Sequence, residues 1–510
     1  MNVERKLGSM KINQIRQIVF DNEITIWWER HELPKGGAYA VSLNGETQGK
    51  TTKTHYEWKN LQPETQYVLS VAMIDETGKE TQKVGEITVK TLKTKKRLDV
   101  TKAPYLAVGN GETVNTAAIQ RALNDCKADE CVYFPKGIYM TGALNVHSDT
   151  EIYLEKEAVL QGTDNVNDYL PRRKSRFEGV ERECYSSLLN LGELDKDGGY
   201  NCKNVVLRGG GTVSGGGERL CWATIESEKE RLKTFLDSNA DYVKTCENEN
   251  TVPGRVRGRL INMSNCQNIV MSGITMQYGP AWNVHMIYSK DITTCGCKII
   301  SKGVWNGDGW DPDSSENCVL FNTEMQTHDD AIAIKSGKNP EGNVINRPTK
   351  NVYIFDCFGR NGIAVGSEMS GGVDGVYIWD CNFSVSYNGI KLKTTPKRGG
   401  YIRNVHVYDS VFAAIYILTD VPYNNDGEGA PTLPEIENIT IENVESLGVS
   451  IRQGVPHSMP PITVSGLSEQ HPIHNVSIKK VRLHKLENGE KPEMEIKNVE
   501  NLVIENVQYQ

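Results

Sequence analysis

A four-residue phrase, a polar residue followed by alternating Val or Ile, recurs from residue 204 to the end of the chain. Its closest steps are 23, 24 and 26 residues, and longer steps of 34 and 37 fit insertions in loops. Short strands repeated every 20–30 residues or so predict a solenoid, because one repeat can bury its apolar face only against its neighbours. The phrase begins at Asn204, Asn268, Asp291, Asn317, Asn351, Gly375, Asn404, Asn438, Asn475 and Asn501.

The repeat favours a right-handed parallel β-helix over other solenoids of similar period. Leucine-rich repeats need a Leu-rich consensus, which this chain lacks. Parallel strands stacked in coils, with Asn at the turns, fit the phrase. Such a stack places like residues above one another, and Cys357 and Cys381 occupy matching places in VYIFDC and VYIWDC. The predicted fold class is therefore all-β, with these cysteines in the core.

The N-terminal region has a different pattern, of short strands separated by turn residues. The run Leu61-Gln-Pro-Glu-Thr-Gln-Tyr67 resembles the tyrosine corner of a fibronectin type III domain, a small β-sandwich, with Trp27 or Trp28 as the core aromatic residue. A lysine-rich stretch, residues 93–102, predicts a boundary, so we expect domains at 12–93 and 99–510. The predicted N-terminal strands are Gln17–Val19, Ile24–Trp28, Ala38–Leu43, Tyr67–Met73 and Glu86–Thr91.

Charge and composition exclude several classes of protein. The 57 basic and 65 acidic residues give a net charge of −8 and form no basic stripe, so nucleic-acid binding is not expected. No run of 18 apolar residues occurs, which argues against a transmembrane helix. The charged start Met1–Lys11 lacks the apolar core of a signal peptide, so we expect a cytoplasmic protein, or a periplasmic or secreted one if a leader was removed. The 12 cysteines complete no zinc site, and free buried thiols are expected.

The densest cluster of carboxylates lies in residues 305–337. The pair Asp329-Asp330 follows Asp308 by 21 residues, close to one coil, so these acids are predicted to project from one face of neighbouring coils. Like charges raise one another's pKa, and a glycosidase uses this to keep one carboxyl protonated beside an ionised one. A calcium site is the alternative, because Asp oxygens suit a hard cation. Asp311 and Asp313 are interpreted as turn residues.

A lysine pair follows two to three coils later. Lys391 and Lys393 alternate onto one side of a predicted strand within residues 388–394. If that side faces the carboxylates, the pair could neutralise a carboxylate of the substrate. A solvated strand face is the alternative reading of the same two residues.

These segments resemble the motifs of polygalacturonase-type glycoside hydrolases, family 28. Asn306-Gly307-Asp308 resembles the Asn-Thr-Asp motif, with Gly in place of Thr, and Asp329-Asp330 matches the Asp-Asp motif. Lys391-Leu392-Lys393 resembles the Arg-Ile-Lys motif, with Lys in place of Arg. The Gly-His-Gly motif falls on Arg360-Asn361-Gly362, so Asn361 replaces the usual His. The resemblance covers roughly residues 99–510.

The resemblance implies hydrolysis by single displacement with inversion, without a metal or other cofactor. Asp329 would be the general acid, and Asp308 and Asp330 would hold and deprotonate the attacking water. Lys393 would bind the galacturonate carboxylate, with support from Lys391. The remaining residues that the resemblance places at the substrate are Asn306, Asn361 and Glu368.

Exo action is expected from two further features. The run Gly366–Gly372 and the added N-terminal domain resemble exo-acting bacterial members of the family, and the insertion 168–256 could close one end of the cleft with Arg172, Arg173, Lys174 and Arg176. The expected reaction is release of galacturonic acid from the non-reducing end of pectin-derived oligogalacturonides. Because Lys replaces Arg and Asn replaces His, a rhamnogalacturonan or substituted galacturonan is the alternative substrate. A calcium-dependent pectate lyase and a non-catalytic carbohydrate-binding β-helix are the alternative functions.

Overall fold

The first residue of every phrase bends a strand. The computed structural model describes residues 15–422, 424–452, 455–485 and 489–510. At the nine Asn and Asp positions φ lies between 55° and 58°, and at Gly375 it is 84°. Asn and Asp tolerate this left-handed conformation better than other side chains do, because their short polar groups hydrogen-bond locally. These residues lie inside strands rather than in the loops where the sequence pattern placed them.

Hydrogen bonds between the side chains of these bends connect successive coils. The amide Nδ2 of Asn268 donates to Asn204 Oδ1 at 2.8 Å, and Asn351 donates to Asn317 Oδ1 at 3.1 Å. Each bond satisfies a polar group at the bend and fixes the register of one coil on the next. Equivalent bonds run from Asn317 to Asp291, from Asn438 to Asn404, from Asn475 to Asn438 and from Asn501 to Asn475.

The stacked coils form a right-handed parallel β-helix, which confirms the predicted fold class. Its strands build a 24-stranded sheet and an 11-stranded sheet, and the interior between them is packed with Val, Ile, Leu, Met and Cys. Cys357 and Cys381 lie in this core on neighbouring strands, as predicted. All 12 cysteines are free thiols, and all but Cys246 are buried.

The chain divides into two compact units between Lys96 and Arg97. The domain limits 12–93 and 99–510 stay a prediction, and the charged start Met1–Lys11 lies outside the described residues. In the described parts of the chain, no helix is both long and apolar enough to span a membrane.

The first unit consists of a three-stranded sheet, β1-β2-β5, and a four-stranded sheet, β4-β3-β6-β7, all antiparallel. Trp28 lies in its core, 5.2 Å from Tyr39 in an edge-to-face contact, and Tyr67 Oη accepts the backbone N–H of Gln62 at 3.0 Å. The assignment of this unit to fibronectin type III stays a prediction. Its strands are β1 (Arg16–Val19), β2 (Ile24–Trp27), β3 (Ala38–Leu43), β4 (Glu46–Thr51), β5 (His55–Trp58), β6 (Gln66–Ile74) and β7 (Glu80–Lys90).

The first half of the β-helix contains the predicted helix near residue 115 as α1 (Thr116–Asp125). Its strands are β8 (Lys96–Asp99), β9 (Asn110–Val114), β10 (Glu130–Phe134), β11 (Gly137–Thr141), β12 (Leu144–Val146), β13 (Glu151–Leu154), β14 (Ala158–Gly162), β15 (Arg173–Phe177), β16 (Val180–Cys184), β17 (Leu189–Leu191), β18 (Cys202–Gly209), β19 (Thr212–Ser214), β20 (Ile261–Ser264), β21 (Cys266–Ser272), β22 (Thr275–Gln277), β23 (Val284–Ile287), β24 (Lys290–Cys295) and β25 (Lys298–Ile300).

The second half continues with β26 (Trp310–Asp313), β27 (Glu316–Gln326), β28 (Ile332–Ile334), β29 (Thr349–Gly359), β30 (Ile363–Val365), β31 (Val373–Trp379), β32 (Asn382–Phe383), β33 (Ile390–Lys393), β34 (Tyr401–Tyr408), β35 (Val411–Phe412), β36 (Ile415–Leu418), β37 (Glu435–Glu442), β38 (Glu445–Ser446), β39 (Val449–Arg452), β40 (Val455–Ser458), β41 (Ile462–Ser465), β42 (Ile473–Lys479), β43 (Arg482–Leu483), β44 (Glu495–Lys497), β45 (Val499–Glu505) and β46 (Gln508–Tyr509).

The insertion 168–256 contains an antiparallel hairpin, β15–β16, and helices that the sequence pattern did not predict. The 11-stranded sheet, whose outer face carries the site described below, has the order β12-β17-β20-β23-β26-β28-β30-β33-β36-β41-β44. The remaining helical segments of the chain are a 3₁₀ turn (Val166–Tyr169), α2 (Gly217–Ser238), α3 (Ala240–Thr245), α4 (Thr251–Gly254) and α5 (Glu341–Ile345).

Candidate active site

Two of the predicted acids occupy the same position of neighbouring coils. Trp310 of β26 pairs with Ile332 of β28, and Asp308 and Asp330 each lie two residues before these partners. The backbone N–H of Gly309 donates to the carbonyl of Asp330 at 3.1 Å, which holds the two segments in register. The spacing of 22 residues therefore brings the carboxylates onto one edge of the 11-stranded sheet, as the coil period predicted.

The same row continues in both directions. Asn361 lies two residues before Ile363, which pairs with Ile332, so it follows Asp330 on the next coil. Trp282 lies two residues before Val284, which pairs with Trp310, so it precedes Asp308. A cavity of about 520 Å³ opens over this row. The eight residues predicted to be catalytic or substrate-binding all line it: Asn306, Asp308, Asp329, Asp330, Asn361, Glu368, Lys391 and Lys393.

Asp308 is buried and bound by a lysine that the sequence analysis did not single out. The Nζ of Lys335 lies 3.2 Å from Asp308 Oδ2 and 3.5 Å from Glu368 Oε2, and 4.4 Å from the centre of the Trp282 ring. Burial alone would lower the pKa of Lys335, but Glu368 and Asp308 outweigh it and raise this pKa well above its usual value. Lys335 is therefore a permanent positive charge under the acids.

The adjacent acids Asp329 and Asp330 differ in environment. Asp330 is buried, and its Oδ2 lies 3.0 Å from the Nζ of Lys393. Asp329 is exposed to the cavity and accepts the backbone N–H of Asp330 through Oδ1 at 3.0 Å. Enclosure by the cavity walls and the neighbouring charge of Asp330 raise the pKa of Asp329. Within the described residues Asp329 has no ion pair, so it is the acid of this group best suited to carry a proton.

Glu368 is a buried carboxylate in a fully bonded position. Besides the contact with Lys335, its Oε1 accepts Nδ2 of Asn424 at 2.7 Å. Burial raises the pKa of Glu368, but Lys335, Arg398 and Lys393 outweigh it and bring the value to about 2. In the described ranges, no group of three or more His, Cys, Asp or Glu side chains is arranged to hold a metal ion.

The interpretation of Asp311 and Asp313 as turn residues is wrong. Both lie in strand β26 and are completely buried. Asp313 accepts Nη1 of Arg176 at 2.7 Å and lies 3.2 Å from His285 Nε2; these cations outweigh the effect of burial and lower its pKa to about 2. The turn pattern misled because the cation that compensates Asp313 is 137 residues away in sequence.

Asp311 has the opposite environment. Neither of its carboxylate oxygens has a hydrogen-bond partner among the described residues. Burial, opposed in part by Lys335, raises its pKa to about 8. Burial and Asp311 also raise the pKa of Asp308. The two buried carboxyls share one proton, and it resides on Asp311 because Lys335 contacts Asp308 directly.

Asn306 and Asn361 are held by other polar groups. The Oδ1 of Asn306 accepts Nη2 of Arg257 at 2.7 Å, and Nδ2 of Asn361 donates to the carbonyl of Thr327 at 2.9 Å. Arg257 is fully buried, and its guanidinium lies 4.5 Å from the centre of the Trp305 ring. These bonds fix both amides at the cavity wall.

Lys391 and Lys393 both face the cavity, which excludes the solvated strand face as an explanation of the pair. Lys393 contacts Asp330, whereas the Nζ of Lys391 lies 5.5 Å from the centre of the Tyr416 ring. Because Lys393 already compensates a carboxylate of the protein, the position of Lys391 gives it the better access to a carboxylate of a ligand.

The arginines expected to close the cleft serve other contacts. Arg172 bonds to Glu228, Arg173 to Glu193 and Asn145, and Arg176 to Asp313. A different set of residues from the insertion lines the cavity instead, and of these only Arg255 is basic. They are Glu178, Thr245, Glu247, Thr251 and Arg255.

Sequence reasoning missed Lys335, Trp282 and the segment 424–426, which all border the cavity. Lys335 stands five residues after Asp330 in a strand, so its odd-numbered register with Asp311 and Asp313 was an available signal: Asp313 and Lys335 are bridged. No local pattern indicates the segment 424–426, because its contacts cross 56 to 171 residues.

Comparison with known proteins agrees with this geometry. Residues 198–507, more than half of the chain, match glycosyl hydrolases family 28. An exo-poly-alpha-D-galacturonosidase of Dickeya chrysanthemi is 24% identical over 437 residues, 81% of this chain and 71% of that protein. A probable polygalacturonase of Vitis vinifera is 29% identical over 315 residues, and the match spans 59% of this chain and only 58% of that protein.

Solved structures show the same fold. The family 28 exopolygalacturonase of Yersinia enterocolitica superposes with a TM-score of 0.78 at 19% identity, over 97% of this chain and 96% of that one. The exopolygalacturonase of Thermotoga maritima superposes with a TM-score of 0.66 at 23% identity, over 81% of this chain and 92% of that one. At these identities the likeness concerns the fold alone. The family match over residues 198–507 goes further, and it shows that this chain belongs to glycosyl hydrolases family 28 and is a glycoside hydrolase.

Proposed function

We propose that this chain is an exo-acting, inverting hydrolase that releases galacturonic acid from the non-reducing end of pectin-derived oligogalacturonides. The observation that carries the proposal is the contrast between an exposed, cation-free Asp329 and two buried acids, Asp308 and Asp330, each in contact with a lysine. A hydrolase needs this contrast, because one carboxyl must donate a proton while others accept one.

In the proposed reaction, the proton of Asp329 passes to the glycosidic oxygen as the bond from this oxygen to the anomeric carbon breaks. A water held by Asp308 and Asp330 attacks the anomeric carbon from the opposite face, and one of these carboxylates takes its proton. Lys335 and Lys393 keep the two acceptors ionised. The product has inverted configuration, because the water replaces the leaving group in a single displacement.

A uronate substrate is favoured by the basic residues of the cavity. Lys391 and Lys393 lie on one strand beside the acids, and Lys391 has the better access to a carboxylate of the substrate. The name of the Dickeya relative, an exo-poly-alpha-D-galacturonosidase, supports the same substrate class. Asn361 in the place of His and Lys391 in the place of Arg are compatible with a rhamnogalacturonan or substituted galacturonan as well, so the test includes one.

Exo action is supported by the hairpin β15–β16, which covers the coils that precede Asp308. Ser175 Oγ donates to Asn262 Oδ1 at 3.0 Å, and the Phe177 ring stacks on Trp282 with 4.9 Å between centroids. A polysaccharide therefore has no continuous path along the outer face of the sheet across β20 and β23. The cavity accommodates a chain end instead.

The test is incubation with digalacturonate, trigalacturonate and a rhamnogalacturonan oligosaccharide, with chromatography of the products and proton NMR of the first anomer formed. Free galacturonic acid of inverted configuration is the expected result. An increase in ultraviolet absorbance from an unsaturated uronide, dependent on calcium, would identify a lyase. Binding of the oligosaccharides without turnover would identify a non-catalytic carbohydrate-binding protein.

A further inference from the structure

One arginine joins three separate segments at the closed end of the cavity. The Nε of Arg255 lies 2.7 Å from Glu178 Oε2, at the tip of the hairpin β15–β16. Its Nη2 lies 2.9 Å from Asp426 Oδ2, in the connection between β36 and β37, and its Nη1 donates to the Tyr242 hydroxyl of α3 at 3.0 Å. We refer to Glu178, Arg255 and Asp426 as the clasp.

Lys338 makes a second connection between the same two segments. Its Nζ lies 2.6 Å from Asp426 Oδ1, and its backbone N–H donates to the carbonyl of Gly179 at 2.9 Å. A Cβ on Gly179 would lie 2.5 Å from the backbone nitrogen of Lys338, so only glycine allows this approach of the hairpin tip. The hairpin tip and the segment around Asp426 are thus joined twice.

The clasp is shielded from water, which makes its ion pairs strong. The Arg255 and Asp426 side chains are 6% and 8% exposed, and Glu178 is 19% exposed. Burial raises the pKa of Asp426, but Arg255 and Lys338 outweigh it and bring the value to about 2. Removing one partner of such a buried pair leaves an uncompensated charge, so the clasp resists opening.

The clasp also closes the cavity with a wall of zero net charge. Two carboxylates, Glu178 and Asp426, are balanced by Arg255 and Lys338. Such a wall offers hydrogen-bonding groups to a terminal sugar hydroxyl but no spare cation for the carboxylate of a further uronate residue. A chain that continued past this wall would have to break both connections.

We propose that the clasp determines the exo specificity of this enzyme, by ending the cavity at the terminal sugar of the substrate. The inference rests on the proposed function, since it assigns to named residues the end wall that exo action requires. Arg255 is a specificity-determining residue here and takes no part in bond cleavage.

The experiment compares wild type, Arg255→Ala and the double variant Arg255→Ala/Lys338→Ala on polygalacturonate and trigalacturonate. Wild type is expected to release only the monosaccharide. The variants are expected to release oligosaccharides from the polymer as well, with a loss of viscosity at low extents of cleavage, and to lose about tenfold in kcat/KM on trigalacturonate. The double variant, which breaks both connections, gives the larger oligosaccharide fraction.

Two further variants keep the outcome decisive. Arg219→Ala removes a guanidinium whose side chain is 87% exposed on α2 of the same insertion, and it should leave the product pattern unchanged. Glu178→Gln preserves side-chain size and the Lys338 connection, so it reports on the clasp even if Arg255→Ala does not fold. Circular dichroism establishes folding of each variant.

The inference and the proposed function fail in different ways. Folded clasp variants that still release only the monosaccharide, from an exo-acting wild type, would overturn the inference and leave the proposed function intact. A wild type that cleaves polygalacturonate internally, or releases nothing from any galacturonide, would instead overturn the proposed function.

Discussion

The Nζ of Lys335 lies 3.2 Å from Oδ2 of Asp308, in a position where both groups are almost completely buried. The lysine is not one of the motif residues, yet it bridges Asp308 and Glu368 and rests on the ring of Trp282. An opposite charge at this distance favours the ionised carboxyl, which an acceptor of protons must be. The relationship assigns to Lys335 the task of keeping Asp308 ready as a base.

Replacing Lys335 by Met should therefore impair the base. Without the ammonium group the pKa of Asp308 rises further, so the acidic limb of the kcat/KM profile moves to higher pH by about one unit. We expect kcat/KM at the optimum to fall by about 100-fold. The measurement is the pH profile of galacturonide cleavage. Lys298→Met removes a surface lysine that pairs with Glu324 at 3.3 Å and should leave the profile in place; an equal effect of both variants would refute the assignment.

Asp311→Asn should stabilise the fold, and more so as the pH rises. The folded-state pKa is raised from 3.8 to about 8, so the folded protein holds a proton that the unfolded chain releases between these values. The free energy of unfolding of wild type then falls as pH rises through this window, and the variant lacks that loss. We expect the Tm of the variant to exceed that of wild type by at least about 2 °C at pH 8, with the gap vanishing near pH 4.

Asp313→Asn provides the matched opposite case. The pKa of Asp313 is lowered from 3.8 to about 2 by Arg176 and His285, against the effect of burial, so its charge contributes stability that is present above pH 4 and lost as the pH falls towards 2. The variant should be less stable than wild type at neutral pH, with a difference that shrinks on acidification. Thermal unfolding of both variants across the pH range checks the pair. A destabilised Asp311→Asn protein would show that Asp311 is ionised.

Asn351→Ala tests the hydrogen-bonded bends of the β-helix. Asn351 has φ of 55° and donates to Asn317 at 3.1 Å, and alanine loses this bond while it must keep the left-handed backbone. We expect a loss of about 2 kcal/mol in the free energy of unfolding, measured with urea. Asn351→Gly should cost less, because glycine adopts this φ freely and Gly375 occupies the equivalent bend one coil later. Equal losses would mean that the side-chain bond alone matters.

The β-helix could be predicted because its cause repeats. Each Asn phrase encodes both a bend and the bond to the next coil, so ten copies specify the fold and the coil period. That period also placed Asp308 beside Asp330, since their separation of 22 residues is one coil.

The rest of the site could not be predicted, because it depends on single contacts across the insertion. Arg255 meets Asp426 over 171 residues and Glu178 over 77, and no periodicity relates these positions. Arg176 was expected at the cleft because it is basic and lies in the insertion. It is instead the buried partner of Asp313, a pairing that only the folded hairpin reveals.

Asp329→Asn tests the general acid in a way that separates chemistry from binding. The amide cannot give a proton to the glycosidic oxygen, so kcat/KM on trigalacturonate should fall by about 1,000-fold. An aryl galacturonide with a strongly acidic phenol departs without protonation, and on this substrate the loss should stay below about tenfold. The base, Asp308 with Asp330, acts on both substrates. Asp308→Asn must therefore reduce cleavage of the two by similar factors. If Asp329→Asn also lost both activities equally, Asp329 would have to be a binding residue or part of the base, and the acid would have to be sought among the other carboxyls of the cavity.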